Sequence, residues 1–302
     1  MVSASILVLA TTLRFFGSAG AESQLTPARA QLNLADVSAF GDATSERWKL
    51  HLKLRADASD GSADRVRAGE AYVQLHAATW LDVTAGRVID KWGTGYGWNP
   101  TSFVGPAKNP ADPNDRRSAN RGVDMIRADV FVKETNVSLY ALEDGQYAAR
   151  VYRLIRGTDV SLVWRSGGAA GFSPPNADRR AEARRSTGIA LARVFGNALE
   201  LHAEATQHRA LVGGQYTFGN DINVVVEMYY ERKPYAFVRV HRPSPRFDAE
   251  LIAISSDGST IVRASLSRKL APSVSAYLIQ TEFLGREKPV ARLTTAGVRY
   301  YF

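Results

Sequence analysis

The sequence predicts an all-β fold: a transmembrane, antiparallel, up-and-down β-barrel of about 16 strands, with a range of roughly 14 to 18. Three observations predict it. Apolar and polar residues alternate with a period of two along most of the chain. Short turns alternate with longer connections, and aromatic residues fall near the ends of the predicted strands. Such a meander presents an apolar face to lipid and a polar face to a lumen.

Composition agrees with this fold. The 302 residues carry a formal net charge of +8, which favours anionic partners, and contain no cysteine, which excludes disulfides and thiolate metal sites. No apolar run reaches the roughly 20 residues that a membrane-spanning helix needs. A barrel strand shows lipid only every second side chain, so 23% charged residues are compatible with a membrane barrel.

The N-terminus has features of an export signal. An apolar run from Ile6 to Leu13 precedes Ala19-Gly20-Ala21, a small-x-small cleavage pattern, although no Lys or Arg comes before the run. The alternative is a frayed apolar N-terminus. We predict a signal peptide at 1–21, a periplasmic lead-in at 22–44 and the barrel at 45–302.

Regular alternation begins at Trp48 and continues to the last residue. No amphipathic helix produces that spacing, and only 177–186 has any helical character. Tight turns fall at every second connection, and the long loops 90–121 and 166–186 fall between them, as in barrels with short periplasmic turns. The predicted strands are 48–56, 66–77, 80–89, 123–133, 136–143, 146–156, 158–165, 187–195, 198–206, 209–218, 221–231, 234–242, 247–255, 259–268, 273–283 and 290–302.

The predicted outward faces carry aromatic residues at both rims. Phe195, Phe218 and Tyr300 fall at the inner rim, and Tyr147 and Tyr230 at the outer rim, with small or aliphatic residues between. Two aromatic belts around an apolar band are typical of a lipid-facing surface, whereas a soluble β-sandwich concentrates its aromatics in the core.

The loop 90–121 is predicted to be ordered and folded into the barrel. Its glycines permit unusual backbone, and its indoles need a surface to pack on. Loops of this length in compact domains are usually functional. The residues expected to line a constriction are Lys91, Trp92, Tyr96, Trp98 and Asn99.

Alternate strand positions place charges in the lumen. If the last strand pairs with the first predicted one, basic residues gather on one side and acidic residues across from them, and opposed charges select solutes in transit. The alternative is that they pair and fill a closed lumen. The predicted basic wall comprises Lys49, Lys53, Arg55, Arg263 and Arg299, and the acidic wall Glu200, Glu204 and Glu227.

The closing strand VARLTTAGVRYYF ends on Phe302 and resembles the signal that outer-membrane proteins present to the barrel-assembly machinery. The run GRVIDKWGTGYGWNP…KNPADP, with Asp257-Gly258-Ser259 and the closing YYF, is similar to a family of porin-like barrels of Gram-negative bacteria, and more distantly to alginate-export-type porins. The resemblance covers roughly 66–302. It implies an outer-membrane location with lipid and lipopolysaccharide as partners. Arginines in 166–186 fit lipopolysaccharide phosphates or anionic solutes, although such clusters are more often solvated.

Signals for other activities are weak. No Gly-Lys-Ser/Thr follows GTGYG, so it is not a phosphate cradle. His202 between Glu200 and Glu204 is the nearest approach to a metal site, and a solvated lumen patch explains it better. No catalytic pair or interleaved basic and aromatic face is evident. We predict no enzyme, cofactor, metal or nucleic-acid partner.

The functional hypothesis is a passive or weakly selective outer-membrane pore for small hydrophilic solutes, with loop 91–121 folded inward as its constriction. Two alternatives remain open. One is a specific barrel for export or uptake of a polysaccharide or hydrophobic compound, and the other is a closed structural barrel of the envelope. The solute, the oligomeric state and the gating are not predicted.

Overall fold

The computed structural model describes residues 12–26, 29–59, 62–105, 108, 110, 122–167, 185–285 and 291–302. These residues form eighteen strands, and none of them belongs to a helix that could cross a membrane. The strands are β1 (Thr12–Thr26), β2 (Arg29–Thr44), β3 (Trp48–Ser59), β4 (Ser62–Ala78), β5 (Leu81–Val88), β6 (Val123–Val132), β7 (Thr135–Leu142), β8 (Tyr147–Ile155), β9 (Thr158–Arg165), β10 (Ser186–Phe195), β11 (Leu199–Thr206), β12 (Ala210–Thr217), β13 (Asn223–Glu231), β14 (Lys233–Pro243), β15 (Phe247–Ser256), β16 (Ser259–Ala271), β17 (Val274–Gly285) and β18 (Ala291–Tyr301).

The strands form one closed antiparallel barrel. Each strand pairs with its neighbours in sequence, and β18 pairs with β1, with Ser18 opposite Tyr301 and Leu25 opposite Thr294. Closure removes the free sheet edge whose unpaired backbone groups lipid does not tolerate. The predicted fold class is confirmed, with a strand count at the upper end of the predicted range.

The two strands beyond the sixteen predicted ones are β1 and β2. They occupy residues that the sequence analysis assigned to the signal and the lead-in. Their alternation is weak because outward positions of β2, such as Ala39, Gly41 and Ala43, carry small side chains. The other strands match β3–β18 one to one. Cleavage after residue 21 remains a prediction.

The two rims of the barrel differ in their connections. Connections 45–47, 79–80, 133–134, 156–157, 196–198, 218–222, 244–246 and 272–273 lie at one rim, which we call the short-turn rim. The opposite, long-loop rim carries 89–122 and 166–185 among shorter turns. At the short-turn rim Arg156 and Gly157 have φ of 48° and 77°, the left-handed pair of a type I′ turn, whose twist matches that of the flanking strands.

The outward face of the barrel is apolar. Leu50, Leu52 and Leu54 on β3 are between 41% and 45% exposed, and the same pattern recurs around the ring. Exposed aromatics such as Phe218 lie at the short-turn rim and others such as Tyr230 at the long-loop rim. A continuous apolar surface between aromatic belts is what lipid contact requires.

Candidate pore constriction

The connection from β5 to β6 turns into the barrel. Asp90 accepts hydrogen bonds from Arg127 Nη1 at 3.0 Å and from the Tyr140 hydroxyl at 2.8 Å, on β6 and β7. Trp92 is buried, and its Nε1 donates to the Tyr140 hydroxyl at 3.2 Å. Residues 91–105, which we call the inner loop, therefore start inside the lumen.

Glu204 on β11 binds the inner loop through its backbone. It accepts the N–H of Thr94 at 2.5 Å, of Gly95 at 2.7 Å and of Thr101 at 3.0 Å, together with the Thr101 hydroxyl at 2.7 Å. Only 2% of Glu204 is exposed. Burying a carboxylate is costly unless hydrogen bonds replace its hydration, and the inner loop supplies five donors, of which the fifth is the Thr94 hydroxyl at 3.3 Å.

Glu227 on β13 holds the next two residues of the inner loop. It accepts the N–H of Tyr96 and, at 2.8 Å, that of Gly97. His202 Nε2 lies 2.9 Å from the same carboxylate, which is fully buried. Residues 94–97 thus lie across two carboxylates of the barrel wall.

Alternate glycines let the backbone come this close. Gly93 has a φ of +85°, and a Cβ there would lie 2.7 Å from both carboxylate oxygens of Glu204. A Cβ on Gly95 would lie 2.1 Å from the Trp98 carbonyl oxygen. Only glycine fits at these positions without displacing the carboxylate or the loop.

Aromatic packing fixes the middle of the inner loop. Trp98 stacks on Tyr229 with ring centroids 5.0 Å apart, and its edge meets Phe237 on β14. The Arg239 guanidinium lies 4.5 Å from the centroid of the Tyr96 ring. These rings join inward-facing aliphatic side chains of β12, β13 and β15 in one buried cluster. The inner loop is therefore packed against the barrel wall along β12–β15.

The far end of the inner loop is also attached. Phe103 is buried beside Trp92, and its carbonyl accepts a hydrogen bond from Arg165 Nη1 of β9. Lys108 Nζ donates to the Gly95 carbonyl. Burial lowers the pKa of the Lys108 amine, an effect that the nearby carboxylates Glu204 and Glu227 oppose.

The five predicted constriction residues all lie in the inner loop, but in different settings. Trp92 and Trp98 are buried against the barrel wall, and Tyr96 is half-buried. Asn99 Nδ2 donates to the Trp92 carbonyl at 3.4 Å. Lys91 is exposed. Residues 106, 107, 109 and 111–121, the rest of the loop predicted to fold inward, lie outside the described residues.

The predicted acidic wall is divided between two roles. Glu204 and Glu227 bind the inner loop, as described above. Glu200 keeps 28% of its side chain exposed, and it accepts a bond from Gln215 Nε2 at 3.0 Å. The sequence indicates that these carboxylates face inward, but not that a loop's N–H groups meet two of them.

The predicted basic wall is less compact than expected, because β1 and β2 lie between β18 and β3. Lys49 Nζ lies 3.6 Å from Asp42, and Arg263 Nη1 donates to Glu250 at 3.2 Å. Arg299 Nη1 donates to Ser18 at 3.3 Å. Lys53 lies opposite Glu70 in the strand register, and the side chain of Arg55 is outside the described residues.

The sequence analysis missed the pairing of histidines with carboxylates on other strands. Three of the four pairs join neighbouring strands, whereas His202 of β11 reaches Glu227 of β13 across Gly213 of β12. The sequence indicates that these histidines and carboxylates face the lumen, because they sit at alternate strand positions. Which histidine meets which carboxylate depends on the strand register, which the sequence does not reveal. The pairs are His51 with Asp42 at 2.6 Å, His76 with Asp82 at 2.8 Å, His202 with Glu227 at 2.9 Å and His241 with Asp248 at 2.8 Å. Among the described residues, no group of three or more ligating side chains is arranged to hold a metal ion.

The lumen therefore has two contrasting sides. The inward faces of β7–β14, to which the inner loop is bound, form what we call the covered wall. The inward faces of β16–β18 and β1–β3, nearly opposite in the ring, form the opposite wall. Of the predicted arginine-rich loop 166–186, residues 168–184 lie outside the described ranges.

Solved structures share this fold. OccK5 (OpdH) of Pseudomonas aeruginosa superposes with a TM-score of 0.63 at 7% identity, covering 97% of this chain and 98% of that one. A triple mutant of the Rhodopseudomonas blastica porin gives 0.57 at 15% identity, covering 96% and 100%. OmpF of Salmonella typhi in complex with daunomycin gives 0.57 at 11% identity, covering 96% and 97%. No protein-family model matches the sequence, and no curated protein sequence is significantly similar to it.

Proposed function

We propose that the chain is an outer-membrane channel for passive or weakly selective diffusion of small hydrophilic solutes. The observation that carries the proposal is the inner loop, which lies within a closed barrel and is bound to one wall by Glu204 and Glu227. A loop held in this way narrows the lumen without being part of the barrel. Solutes would then pass between the inner loop and the opposite wall.

The opposite wall supports an aqueous path, because charged and polar side chains line it. Lys49, Asp42 and His51 interact there on β2 and β3, and each side chain is partly exposed. Charged side chains around a lumen are how pores discriminate between ions. The structural neighbours named as porins agree with this function in fold.

The apolar belt supports a location in the outer membrane of a Gram-negative bacterium. Phe302 lies at the closing seam, where its backbone exchanges hydrogen bonds with Gly17 at 2.9 and 3.1 Å while its ring is 59% exposed. An exposed terminal aromatic at the last strand is accessible to the barrel-assembly machinery. Lipid and lipopolysaccharide would cover the belt and the long-loop rim.

Planar-bilayer recording tests the proposal. The purified full chain should give stepwise conductance, and a variant in which a short Gly-Ser linker replaces residues 92–108 should give larger steps, because the constriction is gone. Heat-modifiable mobility on gels confirms that both barrels are folded. Absence of conductance in both folded proteins would refute the channel and favour the closed structural barrel.

A further inference from the structure

A recess in the lumen wall lies beside the start of the inner loop and shares Asp90, Arg127 and Tyr140 with its first attachment. It has a volume of about 420 Å³ and is lined by strands β4–β8, including Asp82, Asp129, Asn136, Arg150 and Tyr152. Its size therefore suits a small organic solute.

The strand register places the charged residues of this recess in one row that runs across β5–β8. Asp82 of β5 lies opposite Asp129 of β6, Asp129 opposite Ser138 of β7, and Ser138 opposite Arg150 of β8. Neighbouring strands are about 4.8 Å apart, so the acidic end and the guanidinium end are separated by roughly 10 Å between backbones. Ser138 lies between them in the register, and its hydroxyl donates to Asp129 at 2.6 Å.

The acidic end has an excess of negative charge. Asp82 binds His76 at 2.8 Å, and Asp129 lies 2.7 Å from Arg127 Nε, which Asp90 shares. The lining holds three aspartates and two arginines, including Arg150, so its formal charge is −1. Like charges directly opposite each other on adjacent strands repel, and a bound cation between them relieves that repulsion.

The other end offers a guanidinium that no carboxylate neutralises. Arg150 Nε and Nη2 donate to the Ser161 hydroxyl at 3.3 and 3.2 Å, and its guanidinium lies 5.5 Å from the centroid of the Tyr152 ring. Among the described residues, no carboxylate lies at ion-pair distance from it. A guanidinium has five N–H donors in a planar fork that matches a carboxylate.

We infer that this recess binds small dipolar solutes that carry an ammonium and a carboxylate group, the chemistry of α-amino acids. The ammonium lies between Asp82 and Asp129, and the carboxylate lies on Arg150. The aromatic face of Tyr152 borders the solute's carbon atoms. A simple anion or a simple cation forms an ion pair at only one end of the row, and an uncharged solute forms none.

The inference goes beyond diffusion through the lumen, and binding does not require that the barrel conduct. It is tested by saturation-transfer NMR on the full chain in detergent, with glutamine as the probe and with propionate and methylammonium as single-charge probes. We expect saturable binding of glutamine and much weaker binding of either single-charge probe.

Substitutions locate the site. Arg150→Met should weaken glutamine binding at least tenfold, about the loss expected for hydrogen bonds to a charged group, and Asp82→Asn should weaken it several-fold. Arg150→Lys should keep part of it. The matched control is Arg153→Met on the same strand, because Arg153 is exposed and lies 3.6 Å from Glu134.

Three outcomes would overturn the inference: no glutamine binding to the folded wild-type chain, equal binding by Arg150→Met and Arg153→Met, or propionate binding as tight as glutamine binding. Heat-modifiable gel mobility shows that each variant is folded. A conducting channel that fails these tests would leave the proposed function intact, whereas a binding protein that does not conduct would refute only the channel.

Discussion

The covered wall and the opposite wall use similar residues in different ways. On the covered wall, Glu204 and Glu227 are buried and accept backbone N–H groups of the inner loop. On the opposite wall, Asp42 accepts His51 Nδ1 of the adjacent strand at 2.6 Å and lies 3.6 Å from Lys49. Glu204 and Glu227 therefore position a loop, whereas Asp42 only joins strands. Substitutions should separate attachment of the loop from stability of the barrel.

The largest expected effect comes from removing the two carboxylates that bind the inner loop. In Glu204→Gln/Glu227→Gln the amide NH₂ groups compete for space with the loop's N–H donors, and each lost bond to a charged group costs roughly 1.5 to 3 kcal/mol. The loop should leave the wall, so single-channel conductance should rise several-fold and trypsin should cut near Lys91. The double variant should keep the barrel's heat-modifiable mobility.

Asp42→Asn is the matched control on the opposite wall. It removes one carboxylate charge that also faces the lumen, but its partners belong to β3. The expected result is a loss of roughly 1 kcal/mol of barrel stability with unchanged loop protection. Equal protease sensitivity in both variants would contradict the distinction between the walls.

The next largest effect is expected from the backbone of the inner loop at Gly93. Gly93→Ala places a Cβ 2.7 Å from the Glu204 oxygens at a φ of +85°, whereas Gly145→Ala at φ +75° meets nothing within 4 Å. Both substitutions incur the left-handed penalty of roughly 1 to 3 kcal/mol, but only Gly93→Ala also clashes. Conductance should therefore rise in Gly93→Ala alone, and a similar rise in Gly145→Ala would contradict the close approach.

A smaller effect is expected on the charge selectivity of the channel when one charge is removed from either wall. Glu200 faces the lumen on the covered wall, and in the described contacts its carboxylate does not bind the inner loop. Lys49 faces the lumen on the opposite wall. Reversal potentials measured across a salt gradient should shift toward anions in Glu200→Gln and toward cations in Lys49→Gln, each by a few millivolts. Shifts of the same sign would show that these two residues do not line one aqueous path.

The smallest expected effect is a pH dependence through Lys108. When the loop is bound, burial lowers the pKa of the amine, and when it detaches the ordinary value of 10.5 returns. Between those two values the detached loop binds more protons, so raising the pH favours the bound loop. Large-conductance openings should become rarer as the pH rises toward 10.5. Lys108→Met should abolish the trend, and its persistence there would assign it to another group.

The positions of β3–β18 could be predicted from the sequence, because each of these strands shows local alternation of apolar and polar residues. Trp48 to Ala56 shows this most clearly, and the turns that separate later strands are equally local. The residues of β2 were assigned to the lead-in, with a possible short strand at 30–34, because small outward residues such as Ala39 and Gly41 weaken the same signal. Adding β1 and β2 moves the closing seam, which changes which basic residues are neighbours.

The attachment of the inner loop was only partly accessible. Its tryptophans and alternate glycines predicted an ordered, inward loop. The identity of its partners depends on contacts over long sequence separations, such as Thr94 with Glu204 at 110 residues and Tyr96 with Glu227 at 131. Glu204 and Glu227 look the same in sequence as any lumen carboxylate, so only the folded chain shows their role.

The central claim is that the inner loop lies inside the barrel against the covered wall, and disulfide trapping tests it most directly. A Cβ on Gly188 of β10 would lie 3.1 Å from Thr101 Cγ2 and 2.9 Å from the Ala205 carbonyl oxygen, so Thr101→Cys/Gly188→Cys brings the two thiols together once the backbone at 188 shifts slightly. The chain has no other cysteine to compete. Oxidation should cross-link this pair rapidly in the folded barrel, whereas Thr101→Cys/Ile189→Cys, whose second position faces outward, should stay reduced. Failure of the first pair to cross-link, or equal cross-linking of both, would contradict the account.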